Sequence, residues 1–331
     1  MTRANPEHEE LMLTAAELYY YGGQTQSFVA EQLGTTRWTV GRLLEEAKRV
    51  GLVRIVIDHP RARRHELELK VKRAFGLRDA IVLSAQPNAA ATSKSVSAAA
   101  ARHLAAIRPQ PGQLAVGWGR TIAAVAAELP RGWTRGVEVV QTNGGPALAR
   151  GNPVGDSLHV LAEKGGGGVR VLAAPAILDS AELAQSLRRD GAVAATLRAA
   201  ASCRAMLYSP GSVDADSVLV ESGYVSPGQM AALRQAGVVG EIMSHFIMAD
   251  GSLGDLELDA RTLSVNLDVV RRCPTVIAVA TGPQKQAATL AAVTGGLCTA
   301  LITDSTIAAA LLAARPEASP EPRHRPARLP H

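Results

Sequence analysis

The 331-residue sequence has few aromatic residues, few cysteines and no long apolar run. Aromatic residues are 3% of the chain and apolar residues are 47%, so a buried core must consist mostly of Ala, Val, Leu and Ile. The three cysteines are odd in number and do not lie at metal-ligand spacing, which argues against a disulfide framework and a zinc site. No apolar run reaches the roughly 18 residues of a membrane helix, and the polar, acidic N-terminus is unlike a secretion signal. We therefore expect a cytoplasmic protein with no membrane partner.

The net charge of +5 is only a weak argument for nucleic-acid binding. Part of the positive excess lies in residues 315–331, a tail rich in Pro and Arg whose composition predicts disorder. Residues 1–65 contain nine Lys or Arg against eight Asp or Glu. The argument for DNA binding therefore depends on where the charges lie.

Residues 1–57 contain three apolar patterns with helical spacing, and each ends at a glycine. The first helix ends at Gly22-Gly23, the second ends at Gly34, and Thr35 or Thr36 caps the third. The residues expected to face inward are Leu11, Ala15, Leu18 and Tyr19 in the first helix, Phe28, Val29 and Leu33 in the second, and Val40, Leu43, Leu44 and Ala47 in the third. Residues 52–58 alternate as a short strand or wing, which predicts a winged-helix-like domain.

The second and third helices have the spacing of a helix-turn-helix, the smallest unit that places one helix in the major groove of DNA. Arginine reads guanine edges or clamps phosphates, and Thr and Gln reach phosphates or bases. The side chains predicted to face operator DNA are Gln26, Thr36, Arg37, Trp38, Thr39 and Arg42. Trp38 either stacks on the DNA backbone or packs onto the helix, and we favour the second. The alternative for the whole unit is a helical protein–protein module.

Residues 58–76 are highly charged, and we predict a linker helix that also carries a dimer contact. Glu66 with Lys70 and Glu68 with Lys72 have the i,i+4 spacing of helical ion pairs.

From residue 77 to 314 short apolar runs alternate with helical patterns. The predicted strands are 80–84, 113–118, 137–141, 169–175, 204–209, 275–282 and 297–303, and the predicted helices include 121–129, 180–200, 227–236, 283–293 and 304–313. Continuous apolar strands separated by helices are typical of a buried, mostly parallel sheet with helices on both faces. The sequence therefore predicts a doubly wound α/β domain.

Several segments occur in the order found in the SorC family of sugar-responsive regulators, which is grouped with a DeoR-type deoxyribonucleoside regulator. They are residues 13–55, VGWGRTI at 116–122, QTNGG at 141–145, LAAPAILDSAELAQSL at 172–187, and the segments 221–242 and 276–297. The chain resembles this family over residues 8–314. The resemblance implies an α/β effector domain similar in fold to glucosamine-6-phosphate deaminases and ribose-5-phosphate isomerases. It also implies that a small phosphorylated sugar alters the grip of a homo-oligomer, a dimer or tetramer, on operator DNA.

The turn from the strand at 113–118 into the next helix has the composition of an anion site. Gly117 and Gly119 permit close approach of the backbone, and Arg120 and Thr121 add a charge and a hydroxyl. We predict that this turn contacts the phosphate or the sugar, the alternative being an ordinary tight turn.

Polar residues also follow the next predicted strand, at the edge where ligands gather in open α/β sheets. Gln141 and Asn143 are candidates for hydrogen bonds to sugar hydroxyls, and Gly144 completes the turn. An Asn-Gly turn with no ligand is the alternative. This loop contains no lysine, so it gives no support to a Schiff base with an aldehyde.

The resemblance implies further effector contacts in the second half of the domain. Glu241 matches an acidic position that accepts hydrogen bonds from sugar hydroxyls, and Lys285 matches a lysine that faces the sugar phosphate. Gly211 is what remains of a glycine-rich turn, because Ser209 and Pro210 replace the family's small residues. This departure puts the usual effector in doubt and leaves open a scaffold that has lost its ligand.

The main alternative function is a sugar-phosphate isomerase or deaminase, which needs a positioned carboxylate or histidine. Asp179, Glu182 and His245 are the candidates. We expect Asp179 to cap the helix near Ser180 and His245 to be an ordinary interface or surface residue. We therefore assign no catalytic residue, no metal ligand and no cofactor.

Overall fold

The computed structural model describes residues 6–53, 63–145 and 153–314. The chain divides into two compact units, Met1–Asp58 and His59–His331. The predicted wing after Val53, the beginning of the charged segment up to residue 62 and the Pro/Arg-rich tail lie outside the described residues. No helix in the described part of the chain is both long and apolar enough to cross a membrane.

Over its described residues, 6–53, the first unit contains three α-helices, α1 (Pro6–Ala16), α2 (Gln26–Gln32) and α3 (Arg37–Arg49). A π-helical turn, Glu17–Tyr21, follows α1. Thr25 and Thr36 cap α2 and α3, since their side chains accept hydrogen bonds of 3.2 Å from the backbone amides of Phe28 and Thr39.

The core of this unit differs slightly from the predicted one. Its buried residues are Met12, Ala15, Ala16, Val29, Ala30, Val40, Leu43, Leu44 and Ala47. The predictions for Leu11 and Phe28 were wrong, because these side chains are 39% and 41% exposed. The buried face of α1 is rotated by one residue, so that Met12 packs inward in place of Leu11.

The second unit is built on a parallel sheet. Its strands, within the described ranges, are β1 (Asp79–Leu83), β2 (Gln113–Val116), β3 (Glu138–Gln141), β4 (Gly168–Arg170), β5 (Ala205–Tyr208), β8 (Thr275–Ala280) and β9 (Ala300–Asp304). A separate antiparallel hairpin joins β6 (Gly240–Ile242) and β7 (His245–Ile247). The order in the large sheet is β1-β9-β8-β5-β2-β3-β4, and every neighbouring pair is parallel.

Helices cover both faces of the sheet. They are α4 (His65–Phe75), α5 (Ala89–Ala106), α6 (Arg120–Glu128), α7 (Pro153–Lys164), α9 (Gly191–Ser202), α13 (Leu267–Arg272), α14 (Gln286–Thr294) and α15 (Ser305–Ala314). The buried residues of α8 (Ala181–Arg189), α10 (Val218–Glu221), α11 (Pro227–Gln235) and α12 (Leu256–Ala260) belong to separate, smaller clusters. Alternate strand residues belong to two different core clusters, one packed against α5, α6 and α7 and the other against α4, α9, α13, α14 and α15. The predicted mixed α/β class with a mostly parallel sheet is confirmed.

The predicted linker helix is packed against the sheet. Val71 of α4 is fully buried in the core, and Glu68 is buried beside β1. Glu68 accepts hydrogen bonds from Arg63 at 2.7 and 2.9 Å and from the amide of Val82 at 3.0 Å. The expected pair with Lys72 is therefore wrong, because the Glu68 carboxylate points into the domain rather than along the exposed helix face.

Two predicted segments have different boundaries. The helix expected over 180–200 is two helices, because the side chain of Asp190 accepts hydrogen bonds from the amides of Ala192 and Val193 and caps a new helix. The strand expected over 169–175 ends at Arg170, and the chain then continues as irregular structure.

Candidate functional site

A cavity of about 500 Å³ lies at the carboxyl edge of the parallel sheet. Its walls come from segments that follow five neighbouring strands: 85–93 after β1, 118–121 after β2, 209–212 after β5, 281–285 after β8, and 304–306 at β9. Residues 216–219 and Glu241 complete the lining. Ligands of open parallel sheets bind in this position, because the strand ends leave a crevice there.

Lys285 lies in the cavity wall, in a short 3₁₀ turn after β8. Its Nζ donates hydrogen bonds of 2.9 Å to the Thr121 hydroxyl and 2.7 Å to the Ser209 hydroxyl. Burial, with a smaller contribution from Arg120, lowers the pKa of Lys285 to about 8, although Glu241 acts in the opposite direction. Thr121 lies in the first turn of α6 and Ser209 in the loop after β5, so Lys285 connects three segments of the cavity wall.

Glu241 is held in the cavity by the β6–β7 hairpin. Its Oε2 accepts a hydrogen bond of 2.7 Å from the amide of Ser244, in a turn where Met243 and Ser244 have φ angles of 50° and 71°. Burial raises the pKa of Glu241, while the Ser244 amide and Lys285 lower it. The carboxyl group is therefore easier to protonate than an exposed glutamate.

Gly211 is needed beside Glu241. The two residues exchange backbone hydrogen bonds of 2.9 Å. A Cβ atom on Gly211 would overlap Oε1 of Glu241. The hairpin can therefore place the carboxyl group in the cavity only because position 211 has no side chain.

The turn after β2 has a tight part and an open part. A Cβ on Gly117 would lie 3.2 Å from Met243, whereas the corresponding position on Gly119 faces open space. Arg120 donates hydrogen bonds of 2.9 Å to the carbonyl of Asp216 and 2.7 Å to Glu221. Its side chain is 57% exposed, so this ion pair lies at the mouth of the cavity.

The residues predicted after β3 do not line this cavity. Gln141 donates a 2.7 Å hydrogen bond to the backbone carbonyl of Asn143 and accepts one from the amide of Leu172. Asn143 donates to the Ser244 hydroxyl at 2.9 Å and borders a small recess next to Glu241. A side chain on Gly144 would overlap the carbonyl of Pro175. The polar groups of this loop are therefore occupied within the protein.

Sequence reasoning did not identify Asp304 and Ser209 as site residues. Asp304 is the last residue of β9, and its carboxylate accepts hydrogen bonds from the amides of Gly282, Thr306 and Ile307. It fixes the loop that carries Lys285. A usable signal was the position of each at the carboxyl end of an apolar strand: Asp304 is the last residue of β9, and Ser209 directly follows β5.

The carboxylates considered for catalysis lie outside the cavity. Asp179 and Glu182 are exposed, and Ser180 rather than Asp179 caps α8. His245 was expected near the surface but is only 4% exposed, with Nδ1 2.5 Å from Asp259 and Nε2 2.9 Å from the carbonyl of Val265. Both ring nitrogens are therefore occupied. The described residues contain no cluster of three or more potential metal-ligating side chains.

The first unit carries a shallow groove on α2 and α3. It is lined by Gln26, Arg37, Trp38, Gly41, Arg42, Glu45, Glu46 and Arg49. The Trp38 side chain is 71% exposed, and the guanidinium of Arg42, one turn further along α3, stacks on its ring at 5.0 Å. Thr36 and Thr39 bond to each other at the start of α3.

The chain is similar to known proteins over nearly its whole length. Residues 59–313 match the Sugar-bind family of sugar-binding domains. Over 312 residues the chain is 34% identical to the transcriptional regulator LsrR of Klebsiella pneumoniae, covering 92% of this chain and 93% of that protein. Over 308 residues it is 30% identical to the deoxyribonucleoside regulator of Bacillus subtilis, covering 92% of this chain and 98% of that protein.

Solved structures agree with these relatives. The full-length sorbitol operon regulator SorC from Klebsiella pneumoniae has a TM-score of 0.69 and 25% identity, over 93% of this chain and 100% of that chain. A DeoR family transcriptional regulator from Listeria monocytogenes has a TM-score of 0.69 and 25% identity, over 75% of this chain and 99% of that chain. The similarity therefore concerns both the fold and the class of protein.

Proposed function

Because this chain belongs to the SorC/DeoR-type family of sugar-responsive transcriptional regulators, we propose that its cavity senses a phosphorylated sugar and that α3 reads operator DNA. Its relatives are transcriptional regulators, and the chain is a regulator of a carbohydrate pathway. The observation that carries the proposal is the cavity at the carboxyl edge, whose lining includes both Lys285 and Glu241.

The cavity offers groups that suit the two parts of a sugar phosphate. Lys285 and Arg120 provide positive charge for the phosphate, and the open backbone at Gly119 allows an anion to approach the amides that begin α6. Glu241 provides an acceptor for sugar hydroxyls. Thr121 and Gly211 line the same walls, whereas Asn143 supports the hairpin through its hydrogen bond to Ser244. Gln141 and Gly144 hold the loop that carries Asn143.

The surface of α3 suits the major groove of DNA. Arg37, Trp38 and Arg42 are exposed along one side of the helix, and Gln26 borders the same groove. Arg37 and Arg42 would contact phosphates or guanine edges, while the Thr36 cap fixes where the helix begins. We therefore propose that residues 1–57 are a helix-turn-helix domain.

Regulation would then follow from linkage. An effector that binds two arrangements of a homo-oligomer unequally changes its affinity for DNA. In this proposal the dimer or tetramer acts in the cytoplasm on operator DNA and has no catalytic activity. Two observations support the absence of catalytic activity in this proposal. His245 is buried with both ring nitrogens occupied, and Asp179 and Glu182 lie outside the cavity.

Selection of genomic fragments by the full-length protein, with and without a panel of sugar phosphates, tests the proposal. We expect a small set of fragments whose affinity changes with one class of sugar phosphate. Arg120→Ala should keep DNA binding and weaken the response. Arg131→Ala is the matched control, because Arg131 forms a similar exposed ion pair with Glu163 outside the cavity. Absence of sequence-selective binding would exclude the regulator, and turnover of a sugar phosphate in a coupled assay would favour the enzyme.

A further inference from the structure

Arg120 and Lys285 are the basic side chains among the described residues that line the cavity, and they are held differently. Lys285 donates to two neutral hydroxyls. Arg120 donates through Nη2 to the carboxylate of Glu221 at 2.7 Å and through Nη1 to the backbone carbonyl of Asp216 at 2.9 Å. An anion that takes two adjacent N–H groups of the guanidinium, as phosphates do, therefore meets a carboxylate of the protein already bound there.

Glu221 is the last residue of α10, and this short helix fixes where the carboxylate lies. The side chain of Ser217 caps the helix, and Leu219 is only 3% exposed in a small apolar cluster. Residues 216–219 line the cavity. The backbone that carries Glu221 therefore continues directly from the cavity wall, and its carboxylate reaches Arg120 from that wall.

The ion pair between Arg120 and Glu221 can be exchanged at little cost. The two side chains are 57% and 44% exposed, and water weakens an ion pair in such a place. A carboxylate released from the pair stays in contact with solvent, so it is not left buried without a partner. A phosphate monoester carries about 1.5 to 2 negative charges near pH 7, which favours its hydrogen bonds to the guanidinium over those of a carboxylate.

We propose that Glu221 competes with the phosphate group of the effector for Arg120. This inference rests on the proposed function, because it assigns a residue that sets the effector concentration to which the cavity responds. Without effector the carboxylate occupies Nη2, and a phosphate group displaces it. A sugar without a phosphate has no charge to replace the carboxylate and leaves the ion pair in place. Glu221 therefore lowers the affinity for phosphate-bearing ligands and does not change the affinity for neutral sugars.

Calorimetric titration of the full-length protein tests the competition. The probes are inorganic phosphate, ribose 5-phosphate, glucose 6-phosphate and fructose 6-phosphate, and the free sugars are the uncharged controls. We expect Glu221→Gln to bind the phosphate-bearing probes about three- to fivefold more tightly than the wild type, the effect of losing one exposed ion pair, and the free sugars equally. Glu163→Gln is the matched control and should bind like the wild type, because it removes the same charge from an exposed pair with Arg131 outside the cavity.

A double variant separates competition for Arg120 from a general effect of charge. Arg120→Ala with Glu221→Gln should bind the phosphate-bearing probes no better than Arg120→Ala alone, because the group for which Glu221 competes is gone. A gain that persists in this background overturns the competition, and so does a Glu221→Gln affinity equal to or below that of the wild type. If the wild type binds sugar phosphates in either case, the sensor proposal stands. If no phosphate-bearing probe binds the wild type or Glu221→Gln, both proposals fail.

Discussion

The side-chain nitrogen of Lys285 donates a 2.7 Å hydrogen bond to the hydroxyl of Ser209, which joins the loops after the neighbouring strands β8 and β5. The resemblance to the SorC family implies a glycine-rich turn here, and Ser209 is one of the two residues that depart from it. The substitution therefore adds a partner for the lysine instead of only narrowing the cavity. The residue that departs from the family pattern, Ser209, is therefore bonded to Lys285, whose amino group can supply positive charge to the site.

Ser209→Ala should lower the free energy of unfolding by about 1 kcal/mol, because it removes one net hydrogen bond from a partly buried polar pair. We also expect affinity for sugar phosphate to fall several-fold, since Lys285 keeps only Thr121 as a partner. Urea unfolding and calorimetric titration measure the two effects. Ser212→Ala is the control, because Ser212 lines the same cavity, and equal losses in both variants would contradict a specific role for the Ser209 hydroxyl.

The lowered pKa of Lys285 predicts a pH dependence of stability. Its folded-state pKa is about 8 and its ordinary value is 10.5, so between these pH values the unfolded chain binds a proton that the folded chain does not. Stability from this group therefore rises with pH across the window, by at most about 3 kcal/mol, and is fully present above 10.5. Urea unfolding of the wild type and Lys285→Met at pH 7 to 10.5 should show this rise only in the wild type. If the free energy of unfolding changed with pH in the same way in both proteins, Lys285 would not be the source of the rise.

The sheet was predictable because its strands are continuous apolar runs. Leu114, Val139 and Ile277 are fully buried, and only a strand covered on both faces needs such residues at every position. The β6–β7 hairpin was missed, because two strands of three residues give too short a pattern, and its turn uses Met243 and Ser244 rather than glycine at positive φ.

The candidate site was only partly predictable, because sequence position locates a residue relative to its own strand but does not show its distant hydrogen-bond partners. Residues in the short segments after a strand, such as Thr121 and Lys285, are placed by the sheet, so sequence position locates them. Gln141 ends β3 and Asn143 follows it, but Gln141 accepts a hydrogen bond from the amide of Leu172, 31 residues away, and Asn143 donates one to Ser244, 101 residues away. Only the tertiary structure shows that these side chains are already occupied.

Gly211→Ala should disable the effector site, because the added methyl group would displace the carboxyl group of Glu241. We expect a loss of about 1–3 kcal/mol in the free energy of unfolding, as for other overpacked positions, and no measurable response to sugar phosphate. Gly112→Ala is the matched control, since nothing lies within 4 Å of its added Cβ. An unchanged response in the Gly211 variant would show that Glu241 does not contact the effector.

Gly41 and Gly34 provide a paired test of the first unit. Gly41 lies inside α3, and the atom nearest to an added Cβ is the side-chain oxygen of Gln26 at 3.9 Å. Gly41→Ala should therefore stabilise this unit by about 0.5–1 kcal/mol through helix propensity. Gly34→Ala should destabilise it by about 1–2 kcal/mol, because Gly34 has a φ of 62°. Amide hydrogen exchange of α3 in the full-length protein measures both, and two changes of the same sign would contradict the described backbone.

Trp38 separates DNA contact from packing. A tryptophan that is 71% exposed contributes little to the core, so Trp38→Ala should change the free energy of unfolding by less than about 0.5 kcal/mol. The same change removes the ring on which Arg42 stacks, at the groove we assign to DNA. We therefore expect operator affinity to fall about tenfold in fluorescence anisotropy with a selected fragment.

The control for Trp38 is another exposed aromatic residue of the same unit. Tyr21 is 92% exposed and does not line the α2–α3 groove, so Tyr21→Ala should keep full operator affinity. A loss of affinity in both variants would indicate a general effect of removing surface aromatics. If neither Trp38→Ala nor Tyr21→Ala lowered operator affinity, and Arg37→Ala also bound fully, then α3 would not be the helix that contacts DNA. Since Trp38 contributes exposed area rather than core packing, a selective loss at this position can only come from what the groove binds.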